Sequence, residues 1–400
     1  MLATASHRYR PRPEPSRLRI LLLHPNFPGQ FRQRALHWAA AGHDVRFLCQ
    51  THYGRELPGV HRICLKREAG HQHLEGLGLK GVDRSLKLAK QYLSGFQALA
   101  DSGLQPDLIL SHTGWGCGLH AHLAFPRARQ IGYVEWWFQP GGVTDVKQHR
   151  RNLAIALEAA ESELLVAPTR WQRAQLPPGL AKRCEVIGDG VDTEWFQPAP
   201  QLKAATPLLT YGTRGMEPTR GFPEFINALP ALLNAVPELE VEIAGEDRIC
   251  YAGQPPKGYS GYGAWAQRKL ARWDQRVRFV GVLGPEAYRR WLQRSWIHLY
   301  LTRPFVASWS LLEAMASGCC LIASNSEPVK EFTGHQGALM VDPWSGDPDW
   351  LKRSALQLLA EPQRRQQISA AARKLALAFR LSEAHQMWGH VLGQGLTTLP

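Results

Sequence analysis

The sequence predicts an α/β protein of two facing doubly wound domains with a cleft between them, and three observations predict it. Strand-like apolar runs alternate with helical segments from Leu18 to Ile187, and such units imply a parallel sheet. The rhythm breaks over Asp189–Pro200, where Gly, Pro, Trp195 and Phe196 mark a packed linker, and then restarts. The chain has 400 residues, more than the ~250–300 at which single cores stop growing. Ligands of such sheets bind at the carboxyl ends of the strands, which puts the expected site at the loops lining the cleft.

The first domain opens with Leu18–His24, a strong apolar strand. Pro25–Phe31 is a turn holding Gly29. A helix runs to about Ala41, Gly42 caps its end, and Asp44–Cys49 is a second strand. Residues 52–82 are polar, rich in His and Gly, and poorly periodic. Apolar positions at Leu86, Leu88, Ala89, Tyr92, Leu93, Phe96 and Leu99 predict a helix over 82–100. Strand Asp107–Ser111, a helix over 116–124, strand Gln130–Val134, a helix over 145–160 and strand Glu163–Ala167 follow. Thr169 caps a short helix, and Cys184–Ile187 is the last strand.

The second domain is organised around Leu208–Glu224. Leu208–Tyr211 reads as a buried strand stopping at Gly212. Arg214 and Arg220 sit in a loop among glycines, and a helix starts near Phe222 with Pro223 in its first turn. This order presents backbone N–H groups and a positive helix end to an anion, and two guanidiniums add planar donors suited to phosphate oxygens. A solvated loop with two surface arginines is the alternative. Strands 239–243, 277–280, 297–301 and 319–323 then alternate with helices, and the tail from Asp349 is helical to about Gly393.

Lys and Arg number 47 against 34 Asp and Glu, a net charge of +13. That balance favours anionic partners or solvated basic faces, but no helix-turn-helix or RNA-recognition signature makes nucleic acid an expected one. Seven cysteines without a Cys-x-x-Cys pair or metal-finger spacing argue for reduced thiols in a cytosol. No apolar run approaches the ~20 residues of a membrane span. The expected location is cytoplasmic, with Arg17–Arg34 suited to docking on an anionic inner membrane face. Residues 1–17 read as a disordered leader without the apolar core of a signal peptide. The domains are expected at 18–188 and 189–379, with a helix over about 380–400 packing back on the first.

Three sets of residues then resemble one family. They are His24-Pro-Asn-Phe-Pro-Gly-Gln-Phe31 with Ala41-Gly-His-Asp-Val45, Gly190-Val-Asp192 with Phe196-x-Pro198, and Ser310-Leu-Leu-Glu-Ala-Met-Ala-Ser-Gly318. Together, from about residue 18 to 390, they resemble family-4 glycosyltransferases. The resemblance implies a GT-B type fold, with a first domain for the acceptor and a second for the donor. It also implies retention of anomeric configuration, a nucleoside diphosphate sugar as co-substrate, and no metal or other cofactor. The acceptor would be a carbohydrate, a lipid-linked molecule or a small molecule.

Carried over residue by residue, the resemblance implies roles. Arg214 and Arg220 hold the donor diphosphate, and Arg220-Gly221 stands where Lys-Gly is usual. Glu313 accepts from the ribose hydroxyls, for which a carboxylate has the lone pairs. Gly29 and Gly212 let backbone approach the donor, Val282 and Leu283 meet the base, and the N–H groups of Ser308 and Trp309 point at phosphate. Glu246 and Asp247 are lesser donor candidates. His112 ends a strand near the donor sugar, where a merely structural His is the alternative. Glu135, Trp136 and Trp137 resemble a carbohydrate-stacking surface, with core packing as the alternative. Phe305 departs from the pattern, because the family commonly has a glutamate eight residues before Glu313. A ring cannot hydrogen-bond hydroxyls, so either the sugar is held differently or the activity is altered.

Three rivals remain at this stage. Gly114-Trp-Gly116-Cys-Gly118 with Glu135 beyond it fits part of a dinucleotide fingerprint and would suit an NAD-type oxidoreductase. A nucleotide-sugar epimerase of the same fold would need no acceptor. A degenerate, non-catalytic nucleotide-sugar-binding protein would explain Phe305.

Overall fold

The computed structural model describes residues 17–65, 80–139 and 146–394. The expected leader, save Arg17, lies outside these residues. They fall into two compact units, one taking in 1–167, 176–185 and 387–400, the other 168–175 and 186–386.

The first unit carries a sheet of seven strands among the described residues: β1 Arg19–Leu23, β2 Asp44–Cys49, β3 Val60–Cys64, β4 Leu108–His112, β5 Arg129–Tyr133, β6 Leu164–Ala167 and β7 Cys184–Val186. Their order is β3-β2-β1-β4-β5-β6-β7, and the pairs from β3 to β6 are parallel. Four of the five β1 residues are buried, as a central strand covered on both faces requires. The order reverses between β1 and β4, so the loops after these strands flank the point where such sheets bind ligands.

Three expectations change here. β3 lies within the stretch that reads as irregular, because it is an edge strand with mixed burial and no continuous apolar run. The helix expected over 116–124 is only Ala121–Ala124, since Gly114 and Gly116 hold φ of +90° and +88°, outside helical space. The helix expected over 145–160 is two, Val146–Arg150 and Leu153–Glu161. Between them Asn152 brackets the Phe138 backbone, its Oδ1 accepting from N–H at 2.9 Å and its Nδ2 donating to the carbonyl at 2.8 Å.

The second unit carries β8 Leu208–Gly215, β9 Glu240–Glu246, β10 Val277–Gly281, β11 Ile297–Tyr300, β12 Leu321–Ser324 and β13 Leu339–Val341. All pairs are parallel in the order β10-β9-β8-β11-β12-β13, reversing between β8 and β11. The helix Phe222–Ala235 buries Phe222, Phe225, Ile226, Leu229, Leu232 and Leu233, spaced as one helical face. Each such side chain contributes about 1.5–3 kcal/mol. Tyr211 of β8 stacks on Phe225 with ring centroids 4.8 Å apart.

The linker and the Glu313–Gly318 block pack on one another. Arg373 Nη1 donates to the carbonyls of Phe196 and Ala316, both at 2.8 Å, and its Nη2 to Thr193 at 3.0 Å. Gly318 has φ +71°, and a Cβ there would lie 2.9 Å from Pro198 Cγ. The last helix, Leu381–Gln394, enters the first unit from Met387 on, where Trp388 lies edge-on to Trp38 at 5.7 Å and under the Arg34 guanidinium at 4.8 Å. Among the described residues no helix is long and apolar enough to cross a membrane.

Candidate active site

In the first unit the ends of β1, β4 and β5 bring one polar group together. His24 follows β1 and is 3% exposed. Gly29 has φ +51°, and a Cβ there would lie 2.7 Å from the His24 ring, so glycine lets the loop lie directly on the imidazole. His24 Nδ1 accepts from the Asn26 N–H at 2.9 Å, which puts the ring proton on Nε2. That nitrogen is buried without a hydrogen-bond partner. Burial, and then the charge of His112, hold His24 down to about 3.

His112 closes β4, its ring 5.2 Å from that of His24. Its Nδ1 lies 3.1 Å from the Thr113 carbonyl and its Nε2 3.1 Å from Glu135 Oε2. Gln30 Nε2 donates to the same Glu135 oxygen at 3.1 Å. Half-exposed Trp115 lies 6.3 Å from the His112 ring. The structure thus gathers Gly29, His112 and Glu135 and adds His24, Gln30 and Trp115. His24 and Gln30 stand in the stretch the sequence singles out, where a polar residue just past an apolar strand was the available signal. Trp137 packs with Phe138 against Ile155, Ala159 and Leu165, the core-packing alternative. Trp136 lies edge-on to Phe138 at 6.2 Å.

The glycine cluster after β4 wraps a carboxylate. Glu158 is fully buried, with Oε2 accepting from the Gly114 N–H at 2.7 Å and Oε1 from the Gly118 N–H at 2.8 Å. Burial pushes its carboxyl up to about 7 against the pull of those bonds. A Cβ at Gly116 would lie 2.1 Å from the Ser85 carbonyl oxygen. The glycines therefore serve close packing, and the N–H groups a dinucleotide phosphate would need are occupied.

In the second unit β8 runs past Gly212, with an irregularity between Gly212 and Gly215, so Arg214 lies on the strand's end rather than in a loop. Its side chain is exposed. At Gly212 a Cβ would come 3.1 Å from the Trp291 ring. Arg220 is 9% exposed. Its Nη1 donates to Thr302 Oγ1 at 2.9 Å and to the Val306 carbonyl at 3.3 Å. The guanidinium lies 5.3 Å from the Tyr251 ring and 5.5 Å from the Phe305 ring, and these rings are 4.9 Å apart. Among the described residues no carboxylate forms an ion pair with Arg220. Gly221, at φ +64°, would place a Cβ 2.9 Å from Leu301.

Glu217 is a functional candidate that sequence reasoning misses. It is fully buried, and its Oε2 accepts from the N–H groups of Cys250 and Tyr251 at 2.7 and 2.8 Å. It thereby fixes the turn that lays Tyr251 against Arg220. Its place between Arg214 and Arg220 was the only signal.

Ser308 is a correction. Its N–H already donates to the Tyr300 hydroxyl at 2.8 Å, and its Oγ lies 2.6 Å from Ser310 Oγ, so it is not presented to a phosphate. Trp309 is 45% exposed, and its Nε1 donates to Asp189 Oδ2 at 2.8 Å. Glu313 lies half-buried on the helix Trp309–Ala316, its carboxyl pushed up to about 7 by burial, with a hydrogen bond from Tyr288 pulling it down. Val282 is exposed, whereas Leu283 packs on the core. Asp247 is occupied in capping the helix Tyr262–Leu270, accepting from the N–H groups of Gly263 and Ala264 at 2.7 and 2.9 Å, and Glu246 pairs with Arg248 at 2.6 Å. Among the described residues no group of three or more His, Cys, Asp or Glu is placed to hold a metal ion.

Comparison with known proteins gives concordant matches in both units. Residues 41–196 match the family described as Glycosyl transferase family 4 group, and residues 223–385 match one described as Glycosyl transferase-like. A phosphatidyl-myo-inositol mannosyltransferase of Propionibacterium freudenreichii is 28% identical over 190 residues, covering 44% of this chain and 42% of that protein. The chain thus spans less than half of that relative. A GDP-mannose-dependent monoacylated alpha-(1-6)-phosphatidylinositol monomannoside mannosyltransferase of Corynebacterium glutamicum is 23% identical over 312 residues, 74% of this chain and 73% of that one. Sucrose-phosphate synthase from Thermosynechococcus elongatus superposes with a TM-score of 0.73 at 18% identity, covering 96% of this chain and all of that one. Anabaena HepE, solved with UDP and glucose, gives 0.69 at 16% identity, covering 94% and 99%. At these identities the structural likeness concerns the fold.

Proposed function

The chain belongs to the glycosyl transferase family 4 group, with a fold of the GT-B type, and from that premise we propose the reaction of this glycosyltransferase. It moves a hexosyl group from a nucleoside diphosphate sugar to an acceptor hydroxyl, keeps the anomeric configuration and uses no metal. GDP-mannose is the first donor to test and a lipid-linked polyol the first acceptor, because the two sequence relatives are mannosyltransferases acting on phosphatidylinositol lipids or their monomannosides by name.

The observation that carries this reading is Arg220. A buried guanidinium with no carboxylate partner among the described residues is costly, and the two aromatic faces beside it offset only about 0.5–2 kcal/mol. A diphosphate at the end of β8 supplies the missing anion. Arg214, exposed on the same strand end, adds a second fork for phosphate oxygens. Glu313 takes the ribose hydroxyls. As the glycosidic bond to phosphate breaks, negative charge grows on the diphosphate, and the two cations stabilise it in the role a metal fills elsewhere. The acceptor proton passes to a leaving phosphate oxygen, so no protein nucleophile is assigned. His112 is assigned to the donor sugar, to which it donates once its Nε2–H leaves Glu135. Phe305 presents an apolar face beside Arg220, so the sugar is held by groups other than a carboxylate at this position.

The test is a thermal-shift screen of GDP, UDP and ADP and their sugars on the wild type and on Arg214→Ala, followed by turnover of the best donor. A ligand that binds only the native state stabilises it by ~2.7 kcal/mol at a hundredfold excess over Kd. GDP is expected to raise Tm in the wild type and not in Arg214→Ala. Absence of any nucleotide shift in folded protein would overturn the reading. A shift without turnover on any acceptor would favour the non-catalytic binder that Phe305 suggests.

A further inference from the structure

We propose that Glu135 is the positioning residue of His112, holding its ring as an imidazolium whose Nε2–H points at the Glu135 carboxylate, with Gln30 fixing that carboxylate in place. The hydrogen-bond chemistry around the ring carries this. A backbone carbonyl only accepts, so the 3.1 Å contact to Thr113 puts a proton on His112 Nδ1. Thr113 cannot turn away, because its N–H and its hydroxyl both donate to the Tyr133 carbonyl, at 3.0 and 3.2 Å. The other nitrogen meets Glu135 Oε2 at 3.1 Å, and that oxygen already accepts from Gln30 Nε2. Where that oxygen accepts as a carboxylate, a bare Nε2 beside it would set lone pair against lone pair. Both ring nitrogens therefore carry protons.

Among the described residues the other groups around the ring are otherwise engaged or neutral. His24, from the end of β1, faces the ring at 5.2 Å and stays neutral through burial. Glu158, from the helix Leu153–Glu161, interacts electrostatically with His112, but its oxygens are occupied by Gly114 and Gly118. The rings of Tyr133 of β5 and Trp115 lie 5.5 and 6.3 Å from that of His112. Glu135 is thus the counter-ion in hydrogen-bond contact, from the strand end beside β4. Its own task is to set the charge and orientation of His112 rather than to bind sugar. What His112 then does to a donor rests on the proposed function, whereas the pairing does not.

The test reads the ring directly and then the reaction. In the full chain without ligand, ring 15N shifts of the assigned His112 near neutral pH are expected to show both nitrogens protonated. In Glu135→Gln one nitrogen is expected to lose its proton, and Gln30→Ala is expected to move the same signals partway. In turnover with GDP-mannose, Glu135→Gln is expected to lower kcat at least tenfold, with the donor KM within twofold. A wild-type ring with one bare nitrogen, or a ring unchanged in both variants, would overturn the proposal. If Glu135→Gln does not fold, Gln30→Ala and the wild-type signature decide alone. If GDP-mannose is not the donor, the 15N readings still decide, so failure of the donor assignment is distinguishable from failure of this one.

Discussion

Glu313 shows how one side chain ties burial to pH. Its carboxyl is pushed up from 4.5 to about 7 by burial, so the folded state prefers the neutral form. The stabilisation from that preference is fully present below 4.5 and is lost as pH rises through about 7. A ribose offers hydroxyl donors, which prefer the ionised form, so donor binding has the opposite slope. Affinity for a nucleoside diphosphate sugar, whose phosphates do not titrate in this range, is expected to rise through neutrality and to be about tenfold weaker near pH 6 than near pH 8. In Glu313→Gln that slope should vanish and affinity should fall by about 1.5–3 kcal/mol. Calorimetric titration across this range checks it, and a slope kept in Glu313→Gln would assign the ribose to another residue. Glu313 was singled out because its block is distinctive. Glu217 and His24 were not, since a buried carboxylate bonded to a distant turn and an imidazole under a glycine loop depend on tertiary neighbours no spacing reports.

At the scale of one element, the glycine loop after β4 separates two costs usually lumped together. Gly116 and Gly103 have nearly the same φ, +88° and +84°. A Cβ at Gly116 would meet the Ser85 backbone oxygen at 2.1 Å, whereas one at Gly103 has nothing within 4 Å. Gly103→Ala is expected to cost about 1 kcal/mol, the price of a left-handed backbone alone. Gly116→Ala adds displacement of the helix Lys80–Asp101 and should cost about 2–4 kcal/mol. Chemical denaturation of the two variants checks this, and equal costs would show that the loop yields. The same loop explains a misreading. Its apolar residues suggest a helix, but positive-φ glycines and the buried Glu158 carboxylate take its N–H groups instead. β8 was underestimated for a related reason, since Gly212 resembles a stop yet merely introduces an irregularity before Gly215.

At the scale of the whole chain, the two sheets repeat one strand order, each reversing beside its own first strand. Alternating strands and helices made parallel sheets legible, but strand order was not, because it is decided by which apolar faces pair across crossovers. That order explains why His24, His112 and Glu135 gather in one unit and Arg214, Arg220 and the segment Arg303–Glu313 in the other. Each set lies at the carboxyl ends of the strands at or next to a reversal, Glu135 after β5 and Arg214 on the end of β8 itself. If the donor nucleotide belongs to the second sheet, its binding should be visible by region. Hydrogen exchange with and without GDP is expected to show slowed exchange over Gly212–Phe222 and Arg303–Glu313. The β2–β3 edge of the first unit should remain unchanged. Exchange reports local opening, so a ligand bridging Arg214 and Arg220 should slow the strand end and the helix start together. Protection confined to His24–Phe31 and Thr113–Gly118 would instead place the nucleotide at the first sheet's reversal. The roles assigned to Arg220 and His112 would then have to be exchanged.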